Sequence, residues 1–264
     1  AAQISPDNIN QRLDEDNLPE EIRPLVVQFN ALLGRLERAY IQMEGFNADV
    51  AHELRTPLAN LVGETEFALT AKRSTDEIYD ILGSNLEELQ RMTAIINDML
   101  LLSNADRGAK ARYVHMSDLH ELVSEVSDYH EAEALDASIT FKITGHAIAK
   151  VDRSLIQRAV SNLISNAVRY SDKNSEVLIE ISSEKDSFIK ISVRNQGIAI
   201  DENDLTRLFD RFYRSDSSRT DNANHHGLGL AIVSAIARMH GGQPFVESLH
   251  GKTLIGFTIS KHTS

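Results

Sequence analysis

The chain has no cysteine in 264 residues, which excludes disulfides and thiolate-bound metal and fits a reducing compartment. It also lacks a basic excess. Asp and Glu number 39 against 27 Lys and Arg, a formal charge of −12, so no basic stripe exists to replace phosphate counterions and no nucleic-acid partner is expected. No apolar run approaches the ~20 residues that a membrane-spanning helix needs. No signal peptide is visible, and the chain opens on Ala1-Ala2 without a methionine, so it reads as an excised piece of something longer. Its hydrophobic content of 42% is too high for a disordered chain, and its length suits about two domains, each with its own core.

Residues 1–20 are polar, with Asp7, Asn8, Asp14, Asp16 and Pro19, and read as an extended connector. From Leu25 an apolar series follows through Phe29, Leu32, Leu36, Ala39, Met43, Phe46 and Val50, its steps alternating four and three. That spacing marks a coiled-coil or bundle seam. It continues at Leu54, Leu58, Leu61, Thr65 and Ala68, but between Phe46 and Leu58 the steps run four, four, four. Such a slip predicts a local change of supercoil. Residues 72–76 break the pattern, and a second helix repeats it at Leu82, Leu86, Leu89, Thr93, Ile96 and Leu100, widened by Ile78, Met92, Ile95, Met99 and Leu102. One antiparallel hairpin cannot bury stripes this wide, whereas two hairpins paired as a four-helix bundle would, so a homodimer is expected. Beyond residues 105–110 the texture changes. Alternating stretches at 139–143, 177–181, 189–193 and 254–259 between helical segments predict an α+β or α/β domain with one layer of helices on a sheet.

Within the first helical pattern stands His52-Glu53-Leu54-Arg55-Thr56-Pro57-Leu58. Residues four apart share a helix face, so Thr56 sits over His52 with Glu53 beside it: an imidazole nucleophile, a proton acceptor and a hydroxyl able to orient water. Pro57 removes an N–H from the ladder and crowds the Glu53 carbonyl, predicting a bend just past the histidine. By itself the heptapeptide is equally a surface helix with an incidental histidine.

The helix from Asp152 carries a core face of Ile156, Val160, Leu163 and Ala167, and beside it a polar line of Asn162, Asn166 and Arg169 ending at Tyr170. Asparagine oxygens suit a hard cation that keeps most of its waters, as Mg²⁺ does on nucleotide phosphates, although such amides also serve as caps. A strand then runs into Asn195-Gln196-Gly197-Ile198-Ala199, where a glycine permits φ > 0 or close backbone approach to a ligand. Phe209-Asp210-Arg211-Phe212-Tyr213-Arg214 closes a short helix with aromatics and arginines, which taken alone reads as core flanked by solvated charge. Residues 215–224 are polar and expected to be mobile. Gly227-Leu228-Gly229-Leu230 opens a helix whose N–H groups can face phosphate.

Together and in this order, these blocks resemble the sensor histidine kinases of two-component systems over nearly the whole chain. Residues 52–58 match the H box, 162–170 the N box, 195–199 the first glycine box, 209–214 the F box and 227–230 the second glycine box. The resemblance implies a dimeric histidine phosphotransfer hairpin followed by an α/β sandwich ATP-binding domain of the Bergerat (GHKL) type. Residues 18–36 look like the second half of a HAMP linker. The implied division is 1–45 partial HAMP and signalling helix, 46–106 phosphotransfer hairpin and 107–264 ATP-binding domain. The implied location is the cytoplasmic side of a bacterial inner membrane, reached only through upstream segments.

Carried over by position, His52 would be the phosphoacceptor, Glu53 its base and Thr56 the residue that positions water in a phosphatase reaction. Asn166 would hold Mg²⁺ with Asn162 alongside, and Arg169, Tyr170 and Arg214 would contact the phosphates of ATP. Asn195, Gly197, Gly227, Leu228, Gly229 and Leu230 would complete the nucleotide site, with 215–226 as its lid. The implied partner is a cognate response regulator.

Four residues depart from the family's usual pattern: Asn195 stands for an adenine-reading aspartate, Ala199 for a glycine, and His225-His226 for a glycine pair. Asn195 and the run 208–214 are similar to the heavy-metal (copper, silver) sensor kinases. His225-His226 reads as a solvated pair more readily than as a metal site. A carboxylate accepts a stronger bond than an amide does, so Asn195→Asp is expected to tighten ATP binding, unless the pocket is built around the amide and the aspartate bears a desolvation cost. Two other functions compete: an ATPase of the same nucleotide-binding fold that drives conformational change, and a non-enzymatic scaffold.

Overall fold

A computed structural model of the chain describes residues 10–13, 19–112, 115–184, 187–214 and 227–261. The chain forms two units, Ala1–Leu89 and Gln90–Ser264.

Helix α1 (Arg23–Leu69) begins with a proline in its first turn, where the missing N–H costs nothing. It runs unbroken through the buried Pro57, so the proline does not end the helix. Residues 10–13 lie along it: Asn30 exchanges two hydrogen bonds with the Leu13 backbone, at 2.9 and 3.0 Å, and Arg12 pairs with Glu37. Helix α2 (Thr75–Asp106) starts in a reciprocal cap. The Ser74 N–H donates to Glu77 Oε2 at 2.8 Å and the Glu77 N–H to Ser74 Oγ at 3.3 Å, which explains why the pattern breaks at 72–76. Between the helices, Ser84 Oγ donates to Glu64 at 3.1 Å and Asn85 Nδ2 to Thr65 at 3.4 Å. The expected seam stays uncovered in the single chain: Leu25, Leu32, Leu36 and Leu58 on α1 and Leu82, Leu86, Leu89, Ile96 and Leu100 on α2 are exposed.

The second unit is an α/β sandwich. Its elements are β1 (His115–Asp118), α3 (Leu119–Tyr129), α4 (Glu131–Asp136), β2 (Thr140–Thr144), β3 (Ile148–Val151), α5 (Arg153–Tyr170), β4 (Glu176–Glu184), β5 (Phe188–Gln196), α6 (Glu202–Leu205), α7 (Gly229–Met239), β6 (Pro244–Leu249) and β7 (Lys252–Ser260). The main sheet has order β2-β4-β5-β7-β6, parallel between β2 and β4 and antiparallel elsewhere, while β1 and β3 form a separate antiparallel pair. Asp118, Asp152 and Asp201 cap α3, α5 and α6 through their carboxylates. Period-two burial places Val177, Ile179 and Ile181 of β4, Ile189, Ile191 and Val193 of β5, and Ile255, Phe257 and Ile259 of β7 in the core. Against them pack α5, through Ile156, Val160, Leu163 and Ala167 as expected, and α7, which is apolar nearly all round because other elements enclose it. Full burial of each large side chain is worth ~1.5–3 kcal/mol. The four strands read from alternation are present. The pattern missed β1, β3 and β6, the first two because four residues carry too little periodicity.

His240 fastens this core. It is fully buried at the end of α7, its Nδ1–H donates to the Ile236 carbonyl at 2.8 Å, and its Nε2 accepts the Asp152 N–H at 3.2 Å. Its carbonyl accepts the Ser260 N–H at 3.0 Å, so one residue ties α7 to the start of α5 and the end of β7. Burial lowers the His240 pKa, with the Ile236 hydrogen bond and the Asp152 charge acting in the opposite direction. The unfolded chain therefore takes up a proton that the folded chain does not. Stability should be full above the ordinary histidine pKa of about 6.5 and fall as pH drops below it. Urea unfolding between pH 5 and 8 should show this decline, and His240→Gln should flatten it while lowering stability throughout. An unchanged slope in the variant would remove His240 as the cause.

Candidate active site

His52, Glu53 and Thr56 lie within one turn of α1, with His52 and Thr56 exposed and Glu53 half-buried. The imidazole is therefore open to approach by a second reactant, with a carboxylate as its sequence neighbour.

The remaining candidate residues lie in the second unit, on α5, at the end of β5 and around the start of α7. The half-buried polar line of α5 runs beside its buried face. Asn162 Nδ2 donates to the Arg158 carbonyl at 3.0 Å. Its Oδ1 lies where a Cβ on Gly229, at the start of α7, would come within 3.0 Å. The N box and the second glycine box, over sixty residues apart, are thus in direct contact. Asn166 is half-buried, one turn further along, and the Arg169 guanidinium stands 5.3 Å from the ring centre of the exposed Tyr170.

The positive φ expected at Gly197 is not found. The close approach there is made by the chain's own backbone: a Cβ on Gly197 would lie 1.9 Å from the Tyr170 carbonyl oxygen. Ser171 and Gly197 form a β-bridge, the Asp172 N–H donates to the Gln196 carbonyl at 2.8 Å, and the Gly197 N–H to the Gly251 carbonyl at 2.8 Å. Asn195, one residue inside the end of β5, is buried, and its Nδ2 donates to the Tyr170 carbonyl at 3.3 Å.

The 209–214 run also departs from expectation. Helix α6 ends at Leu205, and the aromatic and arginine residues occupy the turns beyond it. Phe212 has φ 58°, which a right-handed helix cannot accommodate, and its N–H donates to the Gly227 carbonyl at 3.0 Å. Gly227 is itself at φ 68°, with the Phe212 backbone carbonyl carbon 2.8 Å from any added Cβ. Phe212 and Gly227 are therefore in direct backbone contact. The expected lid, 215–226, and His225-His226 within it lie outside the described residues. Tyr213 Oη donates to Asp204 at 2.5 Å, Arg214 is half-buried, and Arg211 pairs with Asp106 of α2, which Arg238 also approaches at 3.8 Å. Leu228 is buried, and α7 begins at Gly229 with no side-chain cap. Its first N–H groups are thus available to an anion.

Sequence reasoning missed Thr253, buried and in register with Asn195, and Ser248, whose Oγ accepts the Ile200 N–H at 3.1 Å and lies 3.1 Å from Thr253 Oγ1. The one signal available was Gly251 ahead of an alternating strand. A second constellation carries no chemistry. His130 bridges Ser161 at 2.8 Å and Glu133 at 3.0 Å, distances like those of a hydrolytic triad. Ser161 lies mid-helix in α5, where backbone N–H groups are committed to the helix and cannot hold an oxyanion.

Residues 42–108 match the His Kinase A (phospho-acceptor) domain, and residues 151–263 match the Histidine kinase-, DNA gyrase B-, and HSP90-like ATPase family. The sensor histidine kinase CusS of Escherichia coli K12 is 39% identical over 246 residues, 93% of this chain and 51% of that protein. The probable sensor kinase SilS of Salmonella typhimurium is 38% identical over 93% of this chain and 50% of that protein. The chain belongs to the sensor histidine kinases. The resemblance to the heavy-metal sensor kinases is borne out by the same relatives. The chain spans about half the length of the relatives it matches. In fold, this sensor histidine kinase chain is similar to Acinetobacter baumannii histidine kinase AdeS, with TM-score 0.65 at 22% identity over 80% of this chain and 98% of that one. It is also similar to histidine kinase ThkA in complex with response regulator protein TrrA, with TM-score 0.63 at 24% identity over 94% of this chain and 68% of that one.

The Phe212–Gly227 junction is testable in this chain. Gly227→Ala forces a side chain into a left-handed position against the Phe212 backbone and should destabilise the ATPase-like unit by ~1–3 kcal/mol. Gly63→Ala, in a helix with nothing within 4 Å of the new methyl, should be neutral or stabilising. Urea midpoints of the two variants decide; equal values would mean that the junction is not strained by a side chain.

Proposed function

We propose that the chain autophosphorylates His52 from ATP and passes the phosphoryl group to an aspartate of a cognate response regulator, and that it also dephosphorylates that regulator. The observation that carries this reading is the pairing of an exposed His-Glu-x-x-Thr-Pro turn within a phospho-acceptor domain with an ATPase-like unit in which Asn162 abuts Gly229. A ring nitrogen of His52 forms a bond to the γ-phosphorus as the bond from phosphorus to the ADP oxygen breaks, and the imidazole proton passes to Glu53. Positioning and charge neutralisation supply most of the acceleration. Arg169, Tyr170 and Arg214 contact the phosphates, and Gly227, Leu228, Gly229 and Leu230 present the backbone at the start of α7.

The neutral oxygens of Asn166 and Asn162 fit Mg²⁺, which keeps most of its waters and would neutralise phosphate charge there. Asn195 and Gly197 belong to the base-binding end. Thr56, one turn above His52, orients water in the phosphatase reaction. The uncovered leucine seam supports a homodimer in which two hairpins make a four-helix bundle. The ThkA–TrrA complex supports a response regulator as partner. Residues 1–45 are assigned to a partial HAMP linker and signalling helix, 46–106 to the phosphotransfer hairpin and 107–264 to the ATP-binding domain, on the cytoplasmic side of a bacterial inner membrane.

Incubation with γ-labelled ATP and Mg²⁺ should give a label stable to base and labile to acid, as a phosphoramidate is, and absent from His52→Gln. Acid-stable label retained in that variant would refute the assignment. Hydrolysis of ATP without phosphohistidine would favour the ATPase reading instead.

Thr56→Ala should slow regulator dephosphorylation several-fold more than it slows autophosphorylation. Equal losses would reduce Thr56 to a structural role.

A further inference from the structure

Asp106 stands in the last turn of α2, where the helix dipole disfavours a carboxylate and where the helix supplies no basic residue of its own. The helix by itself gains nothing from this side chain. Its charge is answered from elsewhere in the fold: Arg211 of the F box pairs with Oδ2, and Arg238 of α7 approaches Oδ1 at 3.8 Å. The Arg211 side chain is only 19% exposed, so its guanidinium is costly to separate from that carboxylate. One residue on, the Phe212 N–H donates to the Gly227 carbonyl at 3.0 Å, just ahead of the uncapped start of α7. The other end of α7 is held from the same place. Gly108, at φ 79°, turns the chain out of α2, and the Ala111 N–H then donates at 3.0 Å to the carbonyl of Met239, the last residue of α7. The end of α2 thus reaches α7 near both termini. These residues lie in one unit, yet Asp106 belongs to the phospho-acceptor match and its arginine partners to the ATPase-like one.

We propose that Asp106 is a positioning residue for the nucleotide: by holding Arg211 and Arg238 it fixes the approach to α7, so that seating the end of α2 and binding nucleotide phosphate strengthen each other. This rests on the reading that the start of α7 faces the phosphates of ATP. Without the carboxylate, Arg211 is free to draw Phe212 with it, and the N–H groups beyond Gly227 are ordered only at the expense of binding. The sign of the effect separates this role from simple charge. Removing an acid from a chain of formal charge −12 should, through long-range electrostatics alone, make an anionic nucleotide bind more tightly. The positioning role makes it bind more weakly. Coupling is reciprocal, so the nucleotide tightens the hold on α2 by the same factor.

ADP with Mg²⁺, which cannot phosphorylate His52, is titrated calorimetrically against the unaltered chain, Asp106→Ala, Arg211→Gln and the double variant, with thermal unfolding as the control for folding. Asp106→Ala should weaken ADP binding about three- to fivefold, the scale of a half-exposed ion pair. The double variant should bind no more weakly than Asp106→Ala alone, because the two residues act as one. A folded Asp106→Ala that binds ADP as tightly as the unaltered chain, or more tightly, overturns the proposal, and so does a double variant in which the two losses multiply. In the unaltered chain, saturation with ADP should slow hydrogen exchange at Ala111 and across residues 103–108 by a similar factor. Unchanged exchange there overturns the proposal even if the variants do not fold. If the unaltered chain does not bind ADP, the ATP-site reading itself fails and the proposal falls with it.

Discussion

The glycine-rich end of the second unit depends on where α5 stops. Its apolar face is clamped between the sheet and α7, and its last carbonyl is pressed against the Cβ-less Gly197 at the end of β5. With both ends of the helix held, by Asp152 at the start and Asn195 at the finish, its polar line has one available direction. Asn162 then meets the first turn of α7, and Asn166 and Arg169 follow along the same edge. A change that loosens α5 would displace Asn162, Asn166, Arg169 and Tyr170 together, because all four are carried on that helix.

A second set of contacts ties the residues around Phe212 and Gly227 to the rest of the unit. Phe212 and Gly227, both in left-handed conformations, are joined by the hydrogen bond from the Phe212 N–H to the Gly227 carbonyl. Arg211 next to Phe212 pairs with Asp106 in the last turn of α2, Arg238 of α7 approaches the same carboxylate, and Arg158 of α5 pairs with Asp98. Half-exposed ion pairs are individually worth at most about 1 kcal/mol. Here they act with the Ala111 N–H bond to the Met239 carbonyl at 3.0 Å, and the group fastens the end of α2 to the F box and to α7.

In the helices the constraint is of the opposite kind. The apolar seam of α1 and α2 is too wide for one hairpin, and its leucines stand exposed in the single chain. Contiguous apolar surface of this extent marks an interaction face. The same helix carries the exposed His52, so the uncovered apolar seam and the exposed imidazole belong to one element.

Periodicity alone was enough to reveal the two long helices, the turn between them, the core face of α5 and four of the strands, because each of those elements is long enough for its burial pattern to repeat. Composition excluded disulfides, and motif order pointed to the kinase family. Short elements and contacts between distant residues were not legible in this way. β1 and β3 have four residues each, Thr253 meets Asn195 only through strand register, and Asp106 meets Arg211 across a separation of 105. The tertiary structure also changed the meaning of two residues that had been singled out. Gly197 accommodates the chain's own carbonyl, and Asn195 is turned by that same carbonyl. Residue types determine what a side chain can donate or accept, but which half of an amide is committed depends on the atom placed beside it, and here that atom arrives from a helix end 25 residues away.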